Sequence, residues 1–341
     1  MTASIRPAVG APYARIHGVG GYRPRRLVTN EEICQRIDSS DEWIRTRSGI
    51  VTRRHASPDE TVADMATAAA GKALANAGVP PEEVGCVLVS TVSHLRQTPS
   101  VACDIAYRLG ATRAAAFDIS AACAGFCYGL ALANDMVRGG SAKYVVVIGV
   151  ERLTDLTDFS DRTTAFLFGD GAGAAVVGPS DFPGIGPVVW GSDGAQLDAI
   201  EQTVPWDELR MDAESRRVRA DASYPALRMS GQQVFRWASY EMVPVARKAM
   251  ELAGVRPEEL DAFIPHQANM RITDAMIRAL KLPAHVPVAR DIAEQGNTSA
   301  ASIPLAMERM LETGEAKSGG TALLIGFGAG LVYAAQVVTL P

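Results

Sequence analysis

The sequence predicts an α/β fold built twice over. Two observations carry this prediction. Lys72–Val84, KALANAGVPPEEV, returns as Lys248–Leu260, KAMELAGVRPEEL, with eight of thirteen positions identical at an offset of 176. In both copies, apolar strand-like runs alternate with helical stretches, the pattern of layered α/β proteins.

Taken in order, each copy of the repeat ends a helical pattern at a glycine, Gly78 or Gly254, where a helix closes on a left-handed residue. A Pro-Glu-Glu turn then leads into an apolar strand, Cys86–Thr91 or Ala262–Pro265. A second pair follows at an offset of 177: the small-residue helix Ala122–Asn134 with the strand Tyr144–Val150, and Ser302–Leu311 with Thr321–Gly326. The runs VVVIGV and ALLIGF are continuously apolar, as suits strands covered on both faces. Thr321–Val338 has no charged residue, but glycines at 326, 328 and 330 interrupt it. It reads as two buried strands joined by a glycine turn and not as a membrane span. The expected organisation is two similar units, 1–178 and 179–341, with a site where they meet.

Composition narrows the function classes. The chain has 341 residues, 48% apolar and 21% charged, enough for two units with substantial cores. A net charge of −5 argues against broad nucleic-acid binding, which needs a basic field. The five cysteines are odd in number, and residues 1–10 have no apolar signal-peptide core, so a reducing cytoplasm is expected. The cysteines lack metal-ligand spacing with histidine, and no metal site is expected.

Four segments carry candidate chemistry. Asp118–Gly129, DISAACAGFCYG, sets Cys123 between alanines at a strand-to-helix junction, where unpaired backbone N–H groups stabilise a thiolate. A lone cysteine is more often a small buried hydrophobe, and Cys127, one turn later, is read that way. Phe263–Arg271, FIPHQANMR, puts His266 at the carboxyl end of a strand, a favoured catalytic position in α/β sheets; a hydrogen-bonded structural histidine is the competing reading. His17, His55, His94 and His285 have no such placement. Gln295–Ser302, QGNTSAAS, places Asn297 in the loop mirroring that of Cys123, as a second hydrogen-bond donor or a helix cap. Gly326–Gly330, GFGAG, can aim backbone N–H groups at an oxyanion or make a plain hairpin. FGDGAGA at 168–174 lacks the lysine of a P-loop and the spacing of a dinucleotide fingerprint, and is read as structural.

Together these motifs resemble the thiolase superfamily, specifically the β-ketoacyl-acyl carrier protein synthases III. AACAGF around Cys123, PHQAN at His266 and GNTSAAS at Asn297 arrive in family order, and the likeness runs from SSDEWIRTRSGI at Ser39 to GFGAGLVYAA. The resemblance implies a thiolase-like five-layered αβαβα fold with internal duplication, and a homodimer. It implies an acyltransferase that starts type II fatty acid synthesis. Cys123 takes the acyl group from an acyl-CoA such as acetyl- or isobutyryl-CoA. Malonyl-acyl carrier protein then decarboxylates and attacks the acyl-cysteine, with His266 and Asn297 on the malonyl thioester oxygen. The N–H groups of Cys123 and Ala329 form the other oxyanion hole. Coenzyme A enters as substrate, and no cofactor, nucleic acid or membrane is implied.

The resemblance also implies substrate contacts. Trp43 stacks on adenine, with Arg47 and Arg162 near the nucleotide. Phe235, Ala238, Asn269, Arg271 and Phe327 line the pantetheine channel and its mouth. Arg236, Arg271, Arg278 and Lys281 form a basic rim for the acidic carrier protein; ordinary solvated helix charges are the competing reading. Thr98 stands where a Phe commonly narrows the acyl pocket across the dimer, which points to branched or longer primers. A thiolase needs a late second cysteine, absent after Cys127, and elongating synthases carry histidine where Asn297 stands. Two alternatives remain: a related ketosynthase starting a secondary-metabolite pathway and, more remotely, a non-catalytic partner subunit.

Overall fold

A computed structural model of the chain describes residues 4–206 and 224–341. The repeated unit folds the same way twice. Helices Val62–Ala77 and Met242–Ala253 both end on left-handed glycines, Gly78 at φ 63° and Gly254 at φ 68°. Both Pro-Glu-Glu segments, Pro81–Glu83 and Pro257–Glu259, form a 3₁₀ turn before the strand.

The two sheets share one topology. In the first, Val84–Ser90 runs parallel to Tyr144–Arg152, which pairs antiparallel with Asp170–Ser180, which pairs antiparallel with Tyr13–Tyr22. In the second, Ala262–Pro265 runs parallel to Thr321–Gly328, which pairs antiparallel with Val332–Thr339, which pairs antiparallel with Val189–Gly191. The first sheet adds the edge strand Ala115–Ile119 beside Val84–Ser90. Its counterpart in the second sheet shrinks to one parallel bridge, Phe263 with Val288. Pro283 and Pro287 both precede Val288, and proline cannot donate to a ladder. Strand Asp170–Ser180 runs two residues past the expected 178/179 boundary.

Side-chain alternation along the strands builds five layers. Val145 and Val147 face a shared interior with Leu130 of helix Gly125–Gly139, Ile303 and Met307 of helix Ser302–Thr313, and Leu324 of the second sheet. Val146, Ile148 and Val150 face outward onto Met65 and Ala69 of helix Val62–Ala77 and Ile105 of helix Val101–Leu109. Leu323 and Ile325 face the opposite exterior, onto Met250 of helix Met242–Ala253 and Met276 of helix Met270–Leu280. The order is helices, sheet, paired helices, sheet, helices. Each fully buried Val, Leu or Ile contributes about 1.5–3 kcal/mol relative to exposure. Thr321–Val338 forms two buried strands as expected, and no described helix is long and apolar enough to cross a membrane.

Candidate active site

The chain reverses sharply after strand Ala115–Ile119. Ala122 takes φ 43° in the left-handed region, which costs a non-glycine residue of order 1 kcal/mol or more. That turn delivers Cys123 into a 3₁₀ turn, Ala122–Ala124, running directly into helix Gly125–Gly139. Asp118 fixes the approach by accepting from the N–H groups of Val101 at 2.8 Å and Ala102 at 2.9 Å. A Cβ on Gly125 would overlap the Ser90 hydroxyl, so only glycine lets the helix start so close to the sheet.

Cys123 is half-buried, and Cys127 lies wholly inside the central layer, as its packing role predicts. Burial pushes the Cys123 thiol up to about 12; the Ser299 hydroxyl opposes the shift and the nearby Glu151 carboxyl adds to it. The helix N-terminus works toward the thiolate, but the enclosure outweighs it. The sulfur therefore rests as a thiol and needs a proton acceptor on attack.

His266 follows strand Ala262–Pro265, held by its N–H donating to Ile325 O at 2.8 Å. Its ring meets the edge of Phe327 at 5.3 Å. Phe327 precedes Gly328, where a Cβ would lie 2.8 Å from Cys123 N and 3.0 Å from its sulfur. Burial holds His266 down to about 3, so the imidazole is neutral. Its Nδ1 lies 2.7 Å from Ser302 Oγ. Asn297 is tied to Phe168 by a parallel bridge, its N–H donating to Leu167 O at 2.8 Å, and its Oδ1 accepts from Ser299 N–H at 2.9 Å. Accepting there leaves the Asn297 amide –NH₂ for another partner. Cys123, His266 and Asn297 thus gather around strand end Phe327–Gly328 and the paired turns Ala122–Ala124 and Ser299–Ala301.

The GFGAG segment joins strands Thr321–Gly328 and Val332–Thr339. Gly330 takes φ 78°, whereas Ala329 keeps an ordinary φ, so alanine there retains its backbone donor. In FGDGAGA, Gly173 lies where a Cβ would come within 2.7 Å of Pro304; these glycines serve close packing, as read from the sequence.

The remaining predicted contacts fall in three places. Trp43 has two guanidinium groups over its ring, Arg162 at 5.2 Å and Arg47 at 5.9 Å, and packs edge to face with Phe166. Asn269 links this cluster to the next: its amide donates to Arg47 O at 3.0 Å while its Oδ1 caps helix Met270–Leu280 at Arg271 N. Arg271 lies 5.2 Å over Phe235. Ala238 has no exposed surface and packs in the outer core of the second sheet, so it does not face an open channel. Thr98 is exposed on the loop before helix Val101–Leu109. Arg236, Arg271, Arg278 and Lys281 are all exposed. None of them forms an ion pair among the described residues. Sequence reasoning missed Glu151, Ser299, Ser302 and Trp237, whose ring lies 6.1 Å from Phe327.

Comparison with known proteins decides the family. Models of 3-oxoacyl-[acyl-carrier-protein] synthase III match residues 117–194 and, for its C-terminal part, 250–340. A β-ketoacyl-[acyl-carrier-protein] synthase III 1 of Streptomyces coelicolor is 64% identical, over 99% of this chain and 100% of that protein. The chain belongs to the β-ketoacyl-[acyl-carrier-protein] synthase III family. A synthase III of Streptomyces glaucescens is 63% identical with the same coverage. Among solved structures, the priming β-ketosynthase of the R1128 polyketide pathway superposes with a TM-score of 0.94 at 50% identity, covering 99% of both chains. A synthase III from Aquifex aeolicus gives 0.85 at 38% identity, over 96% of this chain and 99% of that one. The thiolase-like synthase III fold expected from the motifs is therefore this chain's fold.

Proposed function

We propose that this synthase III joins a short-chain acyl-CoA to malonyl-acyl carrier protein by decarboxylating Claisen condensation, with Cys123 as nucleophile. The observation that carries the reading is the convergence of a half-buried thiol at a helix start with a neutral buried imidazole and a buried amide. The Cys123 sulfur attacks the thioester carbonyl, the C–S bond to CoA breaks, and an acyl-cysteine remains. Loss of CO₂ from the malonyl group then leaves an enolate. His266 and the Asn297 –NH₂ donate to its oxygen, while the N–H groups of Cys123 and Ala329 hold the oxyanion on the acyl carbonyl. Each such donor contributes about 10²–10³ in rate. Ser302 supports this assignment: a hydroxyl donating to Nδ1 leaves the proton on Nε2, where it can be donated. No step needs a metal or cofactor.

Other surfaces fit the same reaction. Trp43 beside Arg47 and Arg162 suits an adenine nucleotide, and Asn269, Arg271 and Phe235 mark the way inward toward the buried Phe327. The exposed basic side chains Arg236, Arg271, Arg278 and Lys281 suit an acidic carrier protein. The open edge of strand Ala115–Ile119 suits pairing with a second copy, since an exposed edge is a template for another strand. Thr98, exposed in one chain, would then border the partner's acyl pocket and leave room for branched primers. Free cysteines fit a cytoplasmic setting. Two units meeting near 178/179 fit a duplication.

A second reading differs in pathway only. The R1128 priming ketosynthase likeness favours starting a polyketide as much as a fatty acid. One experiment tests the shared chemistry: mass spectrometry of the protein incubated with equimolar acetyl-, isobutyryl- and isovaleryl-CoA. An acyl adduct on Cys123, absent from Cys123→Ala, is expected, with branched adducts forming alongside acetyl. Acylation of Cys123→Ala at the wild-type rate would overturn the assignment, and a strict acetyl preference the primer breadth.

A further inference from the structure

Glu151 is a buried carboxyl that the condensation described above does not use. It ends strand Tyr144–Arg152 with no exposed surface. Four donors converge on it: Ser93 Oγ at 2.5 Å, Val92 N at 3.1 Å, Thr91 Oγ1 at 3.3 Å and Ser299 Oγ at 3.2 Å. These are hydroxyls and one amide; among the described residues no cation reaches it. The adjacent Arg152 turns to Asp155 at 3.3 Å. Asp170, opposite Arg152 in the strand pair, is taken up by Ala56 N at 2.7 Å and Thr154 Oγ1 at 2.7 Å. Across the site Glu151 acts on the Cys123 thiol, whose ionisation its charge opposes.

Burying a carboxylate without a counter-charge is expensive, and a neutral isostere would pack at lower cost. Four donors do offset part of that cost by favouring the charged form. The arrangement therefore leaves a carboxyl poised between its two states next to the nucleophile. Ser299 lies between them: its hydroxyl donates to Glu151 Oε1 at 3.2 Å and also acts on the Cys123 sulfur, favouring its ionised form. While its proton is directed at Glu151 its oxygen offers lone pairs to the thiol, and once the sulfur is ionised the hydroxyl donates to it instead.

We infer that Glu151, acting through Ser299, holds the Cys123 proton between the two half-reactions. This rests on Cys123 being the nucleophile. In the first step the S–H bond breaks and its proton passes to Ser299 Oγ. The Ser299 hydroxyl proton passes to Glu151, and the sulfur lone pair forms the bond to the acyl carbon. The departing CoA thiolate takes its proton from solvent. Ser299 then donates toward the sulfur, and the neutral Glu151 donates to Ser299. In the second step the enolate carbon bonds to the acyl carbon, the acyl–sulfur bond breaks, and the proton returns from Glu151 through Ser299 to the cysteine. One proton is consumed per turnover, the one that leaves with CoA. Glu151 is a positioning residue in this scheme, because it never touches substrate.

The test separates this role from a structural one. Acylation of Cys123 by acetyl-CoA is followed by rapid quench and mass spectrometry without malonyl-acyl carrier protein, between about pH 5.5 and 9; decarboxylation of malonyl-acyl carrier protein is followed separately. Burial raises Glu151 to about 7, so wild-type acylation rises through that pH as the acceptor ionises. Glu151→Gln is expected to slow acylation about 10²-fold, the scale of general-base contributions. It should lose the rise near neutrality and slow decarboxylation at least tenfold less. Glu151→Asp restores the pH dependence in part. Ser299→Ala matches the Gln variant, and the double variant is no slower than either single, because both break one chain. The inference is overturned if Glu151→Gln acylates within threefold of wild type, if both half-reactions fall equally, or if the two losses multiply. If Glu151→Gln does not fold, the flattened profile of Ser299→Ala decides. Absence of any wild-type adduct on Cys123 would instead sink the parent reading.

Discussion

The turns Ala122–Ala124 and Ser299–Ala301 are one backbone device used twice. Both begin with a strained left-handed residue, Ala122 at φ 43° and Ser299 at φ 46°, and both run into a central-layer helix. Each is also cradled by the other half. A Cβ on Gly326 of the second sheet would lie 2.8 Å from Ala124 Cα, and one on Gly149 of the first would lie 3.0 Å from Ala301 N and overlap Ala300 O. What differs is the side chains. The first turn exposes a thiol and has no other polar side chain. The second is buried throughout: Ser299 bonds Asn297 and Glu151, and Ser302, which follows the turn, bonds His266. Strain is therefore not the mark of the nucleophile. It sets helix starts at the meeting of the halves, and the residues placed there divide the work into attack and hydrogen bonding.

That division predicts variants that separate the half-reactions. The largest effect is expected from the two residues held by the second turn and the adjoining Ser302. Asn297→Ala or His266→Ala should slow condensation by about 10²–10³-fold, while acylation of Cys123 falls at least tenfold less. Quench-flow measurement of adduct formation against product formation checks this. Equal losses in both steps would erase the distinction between the turns.

A middle-sized effect is expected from the reciprocal glycines. Gly326→Ala presses on the Cys123 turn and should slow acylation about tenfold or more, since small misplacements of a nucleophile are costly. Gly149→Ala presses on Ala300 and should show its larger loss in condensation. Each should also cost about 1–3 kcal/mol of stability as overpacking, read by denaturant unfolding. Matching losses in both half-reactions for both variants would mean the turns move as one body.

Much of this was legible in the sequence. The repeat predicted two like sheets because helix–glycine–turn–strand punctuation is local and survives divergence. Cys123, His266 and Asn297 were legible because their motifs are contiguous. Glu151 was not: a carboxylate closing an apolar strand reads as a strand entering solvent, and only the fold shows hydroxyls from 91, 93 and 299 closing over it. Ser302 reads as a small helix residue until strand Ala262–Pro265 brings His266 to it. The protonation state of Cys123 was also hidden. A helix start argues for a thiolate, whereas the enclosure that pushes the thiol up comes from distant segments. Ala238 was placed in a channel by motif alone, and its helix turns it into the core.

The smallest expected effect sharpens the comparison in energetic terms. Ala122→Gly relieves a left-handed alanine and removes no hydrogen bond, so it should raise stability by about 1 kcal/mol. Ser299→Gly relieves the same strain but takes one donor from Glu151, and an unmet buried acceptor costs about 1–3 kcal/mol. It should be neutral to destabilising. Burial raises Glu151 to about 7 in the folded chain from an ordinary 4.5, so its unfavourable contribution to stability grows as pH rises between those values. The Ser299→Gly deficit should therefore widen as pH rises above about 7, where the folded wild-type carboxyl ionises and the missing hydroxyl matters most, while the Ala122→Gly gain stays level. Urea unfolding of both variants at several pH values measures this. A level deficit for Ser299→Gly would mean its hydroxyl does not distinguish the two states of Glu151, and the two turns would differ in packing alone.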